Sequence, residues 1–87
     1  MAEVTSGKPY IDNGNIRTFD IKAEGYVWHR DKEDRTIKVL SGDGWQLQFE
    51  DCLPILLYKN KTIDIPNGIY HRLIKGLNDL QLEIENG

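Results

Sequence analysis

The sequence predicts an all-β domain, a sandwich or a barrel, from three observations. Apolar and polar residues alternate along several short segments, most clearly at 45–50 and 80–85, and this is the period of a half-buried strand. Turn-forming residues recur at short intervals, as they do when short strands follow one another. No segment has a convincing amphipathic helical period.

The first strands are delimited by turn residues. Asn13-Gly14 is a strong hairpin signal, and beyond it Arg17, Phe19 and Ile21 share one face of an alternating segment. The next segment, YVWHR, is rich in aromatic and β-branched residues, which favour strands. Predicted strands in this half are 10–12, 15–22, 26–30 and 36–40.

In the second half, glycine, proline and polar clusters again separate the apolar runs. The turn at 41–44 precedes the first run, Pro54 marks a bend, and further turns are expected at 59–61 and 76–79. Predicted strands in this half are 45–50, 55–58, 62–65, 69–74 and 80–85.

Length and charge restrict the possible classes of protein. The chain has 87 residues, which is the size of one domain spanning 1–87, and the small polar residues 1–8 are expected to be flexible. The interleaved charges sum to -3, which argues against nucleic acid as a partner. Cys52 is the only cysteine, and no stretch has the length of an apolar membrane span. We therefore expect a soluble, cytoplasmic protein.

A proline-glycine turn stands before a histidine in the second half. Pro66, Gly68 and His71 match in type and spacing the second cupin motif, G-x5-P-x-G-x2-H-x3-N, with Asn60 at its first glycine and Lys75 at its asparagine. The chain therefore resembles a cupin in this region.

The first cupin motif, G-x5-H-x-H-x3-4-E-x6-G, is matched in part. His29 falls at its first histidine and Gly42 at its closing glycine, while Asp31 and Arg35 occupy the positions of the second histidine and the glutamate. The second half is similar to the small cupin domains of type II mannose-6-phosphate isomerases and sugar epimerases. The resemblance implies a small cupin-type β-barrel, a jelly roll or double-stranded β-helix, with a divalent metal in its interior.

The ligand set implied by the resemblance is His29, Asp31 and His71, with Glu33 or Glu50 as substitutes for the carboxylate. Two imidazoles and one carboxylate would suit Zn, Fe, Ni or Mn and leave positions for water or substrate. The alternative is that both histidines are interior polar residues satisfied by hydrogen bonds, with Arg35 paired to Asp31 or Asp34.

Other residues are candidates for ligand binding and association. An inward Arg35 beside two histidines would suit a carboxylate or sugar phosphate, and Trp45 is a core residue that is also a candidate ligand contact. Tyr26, Trp28 and Tyr70 have the parity opposite to the histidines. They are expected to point outward and to form a homodimer interface, unless the strand segment 15–21 covers them.

Three functions remain open at this point. The first is a cupin that binds a small polar molecule, such as a sugar, sugar phosphate or organic acid, with a metal and an isomerase-like activity. The second is a metal-free binding or regulatory module, and the third is a structural protein that binds partners through its aromatic face. The catalytic residues and the substrate cannot be named from the sequence.

Overall fold

Eight β-strands make up the regular structure of residues 9–86, the part of the chain that this computed structural model describes. Residues 1–8, which the sequence predicts to be flexible, lie outside the described part. Within 9–86 there is no helix, and so none that could span a membrane. The strands are β1 (Tyr10–Asn13), β2 (Ile16–Phe19), β3 (Arg35–Ser41), β4 (Gln46–Phe49), β5 (Ile55–Leu56), β6 (Thr62–Ile65), β7 (His71–Ile74) and β8 (Leu80–Asn86).

The strands form two antiparallel sheets. The larger sheet has the order β1-β2-β8-β3-β6, and the smaller has the order β5-β4-β7. The last strand therefore lies between β2 and β3, so the sheet can form only after most of the chain has been made. Such long connections between antiparallel strands are typical of jelly rolls, and the predicted all-β class is confirmed.

The core lies between the two sheets. Ile37 and Val39 of β3 and Leu80 and Leu82 of β8 are buried, as is Leu47 of the smaller sheet. The strand residues between them are more exposed, so the period-2 pattern of the sequence sorts side chains into an inner and an outer face. The remaining buried apolar residues are Phe19, Trp45, Leu57 and Ile65.

The segment 26–30, predicted as a strand, is paired at a single residue. His29 forms an isolated antiparallel bridge with His71, and no ladder extends from it. Gly25, with φ at +100°, and the hydrogen bond from the Val27 amide to the Gly25 carbonyl bend the chain just before the segment. The segment 26–30 therefore contributes a single paired residue, His29, to the edge of the smaller sheet.

The same interruption accounts for the position of Tyr26, for which the outward prediction is wrong and the alternative, that the segment 15–21 covers it, is confirmed. Its ring does not point outward but lies 5.3 Å from the Trp45 ring and 6.2 Å from the Phe19 ring, between centroids. Its hydroxyl donates to the Asp20 carbonyl at 2.6 Å, and burial raises its pKa to about 12. Strand parity fails here because the chain is bent at Gly25 and has no ladder to maintain the alternation.

Candidate functional site: a cluster of two histidines and an aspartate

The two histidines are direct neighbours across the smaller sheet. The His29 amide donates to the His71 carbonyl at 3.0 Å, and the His71 amide donates to the His29 carbonyl at 2.8 Å. His71 also pairs with Phe49 of β4 on its other side. Because residues that exchange both hydrogen bonds stand opposite each other, the two imidazoles come together, with ring centroids 4.4 Å apart.

Asp31 is positioned by the turn that precedes β7. The Gly68 amide donates to the Asp31 carbonyl at 2.9 Å, and the Asn67 amide donates to the Asp34 carboxylate at 2.8 Å. The turn requires φ of +83° at Gly68, a conformation that glycine adopts readily. The turn thus connects the loop 30–34 to the start of β7 and keeps Asp31 beside His71.

Each histidine has one ring nitrogen occupied by the backbone. Nδ1 of His29 lies 2.9 Å from the Val27 carbonyl oxygen, and Nδ1 of His71 lies 2.9 Å from the Ile69 carbonyl oxygen. A carbonyl oxygen can only accept, so each Nδ1 carries the proton. When the rings are neutral, both Nε2 atoms then keep their lone pairs. This tautomer, with the proton on Nδ1, can bind a metal through Nε2.

The donor atoms of the three side chains converge. Nε2 of His71 is 3.4 Å from Oδ2 of Asp31, and ligand atoms of His29, Asp31 and His71 all lie within 4.8 Å of one another. Atoms about 2.0–2.2 Å from a common ion can lie at most about 4.4 Å apart, so the cluster needs only a small contraction. Its residues therefore fit a divalent transition metal.

The cluster is open on one side. His71 is buried, at 4% exposure, whereas His29 is exposed at the surface. Burial is the largest cause that lowers the pKa of His71 from the usual 6.5, and electrostatic interactions with His29 and Arg35 lower it further, against the opposing effects of the Ile69 hydrogen bond and the Asp31 carboxylate. A neutral His71 is therefore the form favoured by its surroundings.

Arg35 occupies the other side of Asp31. Its Nη1 lies 3.5 Å from Oδ1 of Asp31, so the two carboxylate oxygens face different partners, Arg35 and His71. The Nε atom of Arg35 is buried, with no hydrogen-bond partner among the described residues. The sequence placed this arginine correctly next to the histidines, at the position of the expected glutamate.

These side chains line a cavity of about 280 Å³ between the sheets. Its charged and histidine side chains are Arg17, His29, Asp31, Arg35 and His71, and the rest of its wall is mostly apolar. The apolar lining includes Ile37, Leu47, Ile65, Leu73, Leu82 and Ile84. A larger groove of about 1120 Å³ runs along residues 40–44 and 56–59 and contains none of the candidate residues.

Some candidate residues lie elsewhere, and one cavity residue was missed. Trp45 is fully buried, donates from Nε1 to the Asn78 carbonyl at 2.5 Å, and is not among the residues that line the cavity. Glu33 and Glu50 are exposed, and neither belongs to the histidine cluster within 9–86.

Arg17 lines the cavity, although the sequence analysis did not name it as a site residue. The sequence feature that could have indicated this position is the alternation in β2, which puts Arg17 on the same face as the apolar residue Phe19.

Two aromatic residues of the predicted interface do face outward. Trp28 and Tyr70 are 41% and 40% exposed. The Arg72 guanidinium lies 4.8 Å from the Trp28 ring and the Arg30 guanidinium 5.3 Å from the Tyr70 ring, distances at which cation–π attraction operates. Tyr26 does not contribute to this face.

The chain is similar to known proteins in its three-dimensional structure. No protein-family profile and no curated protein sequence matches the chain. Protein NMB1881 of Neisseria meningitidis is 18% identical, with a TM-score of 0.61 over 88% of this chain and 79% of that one. A cupin-2 domain protein of Shewanella frigidimarina is 26% identical, with a TM-score of 0.57 over 88% of this chain and 76% of that one.

A third solved structure is similar over nearly the whole chain. It is a candidate mannose-6-phosphate isomerase of Ralstonia eutropha, 16% identical, with a TM-score of 0.62 over 99% of this chain and 92% of that one. At such identities the likeness concerns the fold. The two antiparallel sheets, the Pro-x-Gly-x-x-His turn and these structural neighbours together identify the chain as a small cupin-like domain.

Proposed function

We propose that this domain binds a small polar molecule in its cavity, next to a divalent metal ion held by His29, Asp31 and His71. The observation that carries the proposal is the convergence of ligand atoms from two imidazoles and one carboxylate within 4.8 Å of one another. Three protein ligands would leave coordination positions for water or for the bound molecule, as in catalytic metal sites.

The chain's own residues have distinct parts in this proposal. The Val27 and Ile69 carbonyls hold the imidazole orientations, and Arg35 holds the second oxygen of Asp31. The metal would supply Lewis acidity, polarising a carbonyl group or acidifying water. The neighbour named as a candidate mannose-6-phosphate isomerase makes isomerisation of a sugar or sugar phosphate the first activity to assay.

The experiment that tests the metal site is metal analysis of untagged protein, followed by titration of chelator-treated protein with Zn²⁺, Mn²⁺, Ni²⁺ and Fe²⁺. We expect one ion per chain in the wild type, and at least about a tenfold weaker affinity in Asp31→Asn and His71→Gln. The matched control is Glu33→Gln, because Glu33 is an exposed carboxylate two residues from Asp31. Equal binding by all variants would overturn the assignment.

A second candidate function is favoured by the contact between Arg35 and Asp31. An arginine cannot ligate a cation and repels one, and its Nη1 lies 3.5 Å from the carboxylate that the metal would share. The same cavity would then bind its ligand without metal, as a binding or regulatory module. Unchanged ligand affinity after chelation, in protein with less than stoichiometric metal, would favour this function over the first.

Association is a separate proposal. The exposed rings of Trp28 and Tyr70 would form part of a homodimer interface, since exposed aromatic clusters commonly mark such surfaces. Sedimentation of the wild type against Trp28→Ser tests this. A monomer at every concentration would remove the proposal.

A further inference from the structure

The Arg35 guanidinium has unusually few partners for its position. It carries five N–H donors, and its one contact with an acid among residues 9–86 is the Asp31 oxygen at 3.5 Å, too long for a good charge-assisted hydrogen bond. Its Nε is buried without a partner. Because donors in such positions are nearly always satisfied, this side chain is poised to bind an acceptor.

The charge around the cavity points to the same kind of ligand. Among the residues that line it, Arg17 and Arg35 are cationic and Asp31 is the only carboxylate. Arg17 is already held by Asp12, with Nε to Oδ1 at 2.7 Å and Nη2 to Oδ2 at 3.0 Å, and its guanidinium lies 3.8 Å from the Tyr10 ring centroid. Arg35 is therefore the cation with donors available for a ligand.

We infer that the cavity selects a small monocarboxylic acid, whose carboxylate binds the Arg35 guanidinium while its adjacent carbon atoms approach the His29 and His71 rings. This inference rests on the proposed ligand-binding function of the cavity and names the class of the ligand. A planar carboxylate matches the planar donor edge of one guanidinium.

Features of the cavity favour a carboxylate over a phosphate ester. The volume of about 280 Å³ and the apolar wall of Ile37, Ile65 and Leu82 suit a short, partly apolar acid. A phosphate dianion carries more charge and more acceptor oxygens than this single available arginine can satisfy. Asp31, beside Arg35, also repels a dianion more strongly than a monoanion.

The test uses the chelator-treated 87-residue chain and calorimetric titration with lactate, pyruvate and butyrate. The matched probes are lactamide and butyramide, which keep the shape and lose the charge, together with inorganic phosphate and glucose 6-phosphate. We expect at least one acid to bind at least about tenfold more tightly than the amides and both phosphates.

The variants are Arg35→Gln, which removes the charge, and Arg35→Lys, which keeps it without the planar donors. Affinity for the acid should fall at least about tenfold in Arg35→Gln and to a smaller extent in Arg35→Lys. Arg30→Gln is the control, since Arg30 is exposed and is not among the residues that line the cavity, and it should bind the acid like the wild type. Circular dichroism of each variant shows that it is folded, and Arg35→Lys alone decides the question if Arg35→Gln does not fold.

Two results would overturn the inference: equal affinity for acids and amides, or tighter binding of either phosphate than of any acid. Equal acid affinity in the wild type and in both Arg35 variants would overturn it as well. Metal content before chelation and metal affinity after it are measured on the same preparations. A protein that binds the acid through Arg35 but no metal would refute the proposed metal site and leave this inference standing, whereas the converse result would refute the inference alone.

Discussion

Asp31 lies between an imidazole and a guanidinium group. Its Oδ2 is 3.4 Å from Nε2 of His71, and its Oδ1 is 3.5 Å from Nη1 of Arg35. The carboxylate is 11% exposed, so its interactions are only partly screened by water. One oxygen can therefore serve a metal while the other is oriented by the guanidinium, an arrangement in which a second residue fixes a ligand. If a metal binds there, Arg35 would act by orienting Asp31 and not as a ligand.

Asp34 should position Asp31, although it does not belong to the cluster. Its carboxylate accepts from the Asn67 amide at 2.8 Å, so Asp34→Ala leaves that amide without its partner and loosens the loop 30–34. We expect about 1 kcal/mol of lost stability and about a tenfold loss of metal affinity. Titration calorimetry and urea unfolding measure the two effects.

The control for this prediction is Glu33→Ala, since Glu33 is exposed and neighbours Asp34 in the chain. Asp34→Asn should restore part of the effect because its amide oxygen can still accept. Metal affinity unchanged in Asp34→Ala would show that the turn alone positions Asp31.

Stability should fall as the solution is made acidic. Burial lowers the pKa of His71 below the 6.5 expected when the chain is unfolded, so below that pH the unfolded state binds more protons than the folded state. The stability contributed by neutral His71 is therefore complete above pH 6.5 and is lost as pH falls through 6.5 to the folded pKa. Urea unfolding between pH 8 and pH 5 measures this dependence.

The variant His71→Asn tests the origin of the effect. It cannot titrate, so its stability should vary less between pH 6.5 and pH 5 than that of the wild type. An NMR titration of the two histidines gives the direction of the His71 shift independently. A folded pKa above 6.5 would contradict the explanation by burial.

Trp45 should matter for stability and leave ligand binding unchanged. The ring is fully buried, and Nε1 donates to the Asn78 carbonyl, so Trp45→Phe removes a hydrogen bond and part of the core volume. The expected cost is about 1–3 kcal/mol. Because Trp45 does not line the cavity within the described residues, the affinity for the acid should stay within about twofold of the wild type. A larger loss of affinity for the acid would show that Trp45 contributes to ligand binding.

Gly76 should tolerate no side chain. A Cβ there would overlap the Asp43 carbonyl oxygen and lie 2.6 Å from the Trp45 amide nitrogen, and both are backbone atoms that cannot move aside cheaply. Gly76→Ala is expected to destabilise the protein by more than about 3 kcal/mol. Gly68→Ala meets nothing within 4 Å and should cost only about 1 kcal/mol for its positive φ. Thermal unfolding compares the two variants.

Strand class, turn positions and the inward faces of most strands could be predicted from the sequence, because alternation and turn residues are local properties. The segment 26–30 could not, since its pairing depends on which strand lies beside it. Tyr26 was misplaced for the same reason, because alternation holds only where a ladder keeps the chain extended.

The sequence by itself determined the all-β class, the Pro66-Gly68 turn before His71, and the placement of Arg35 where a glutamate was expected. The resemblance had already named His29, Asp31 and His71 as a set. Only the tertiary structure decided that their ligand atoms converge without Glu33, that His29 pairs with His71, and that Arg17 reaches the cavity. The physical reason is that the cluster joins residues about 40 positions apart in the chain. Their proximity is produced by sheet register and by the hydrogen bond between Gly68 and Asp31, and neither of these is encoded in a local pattern.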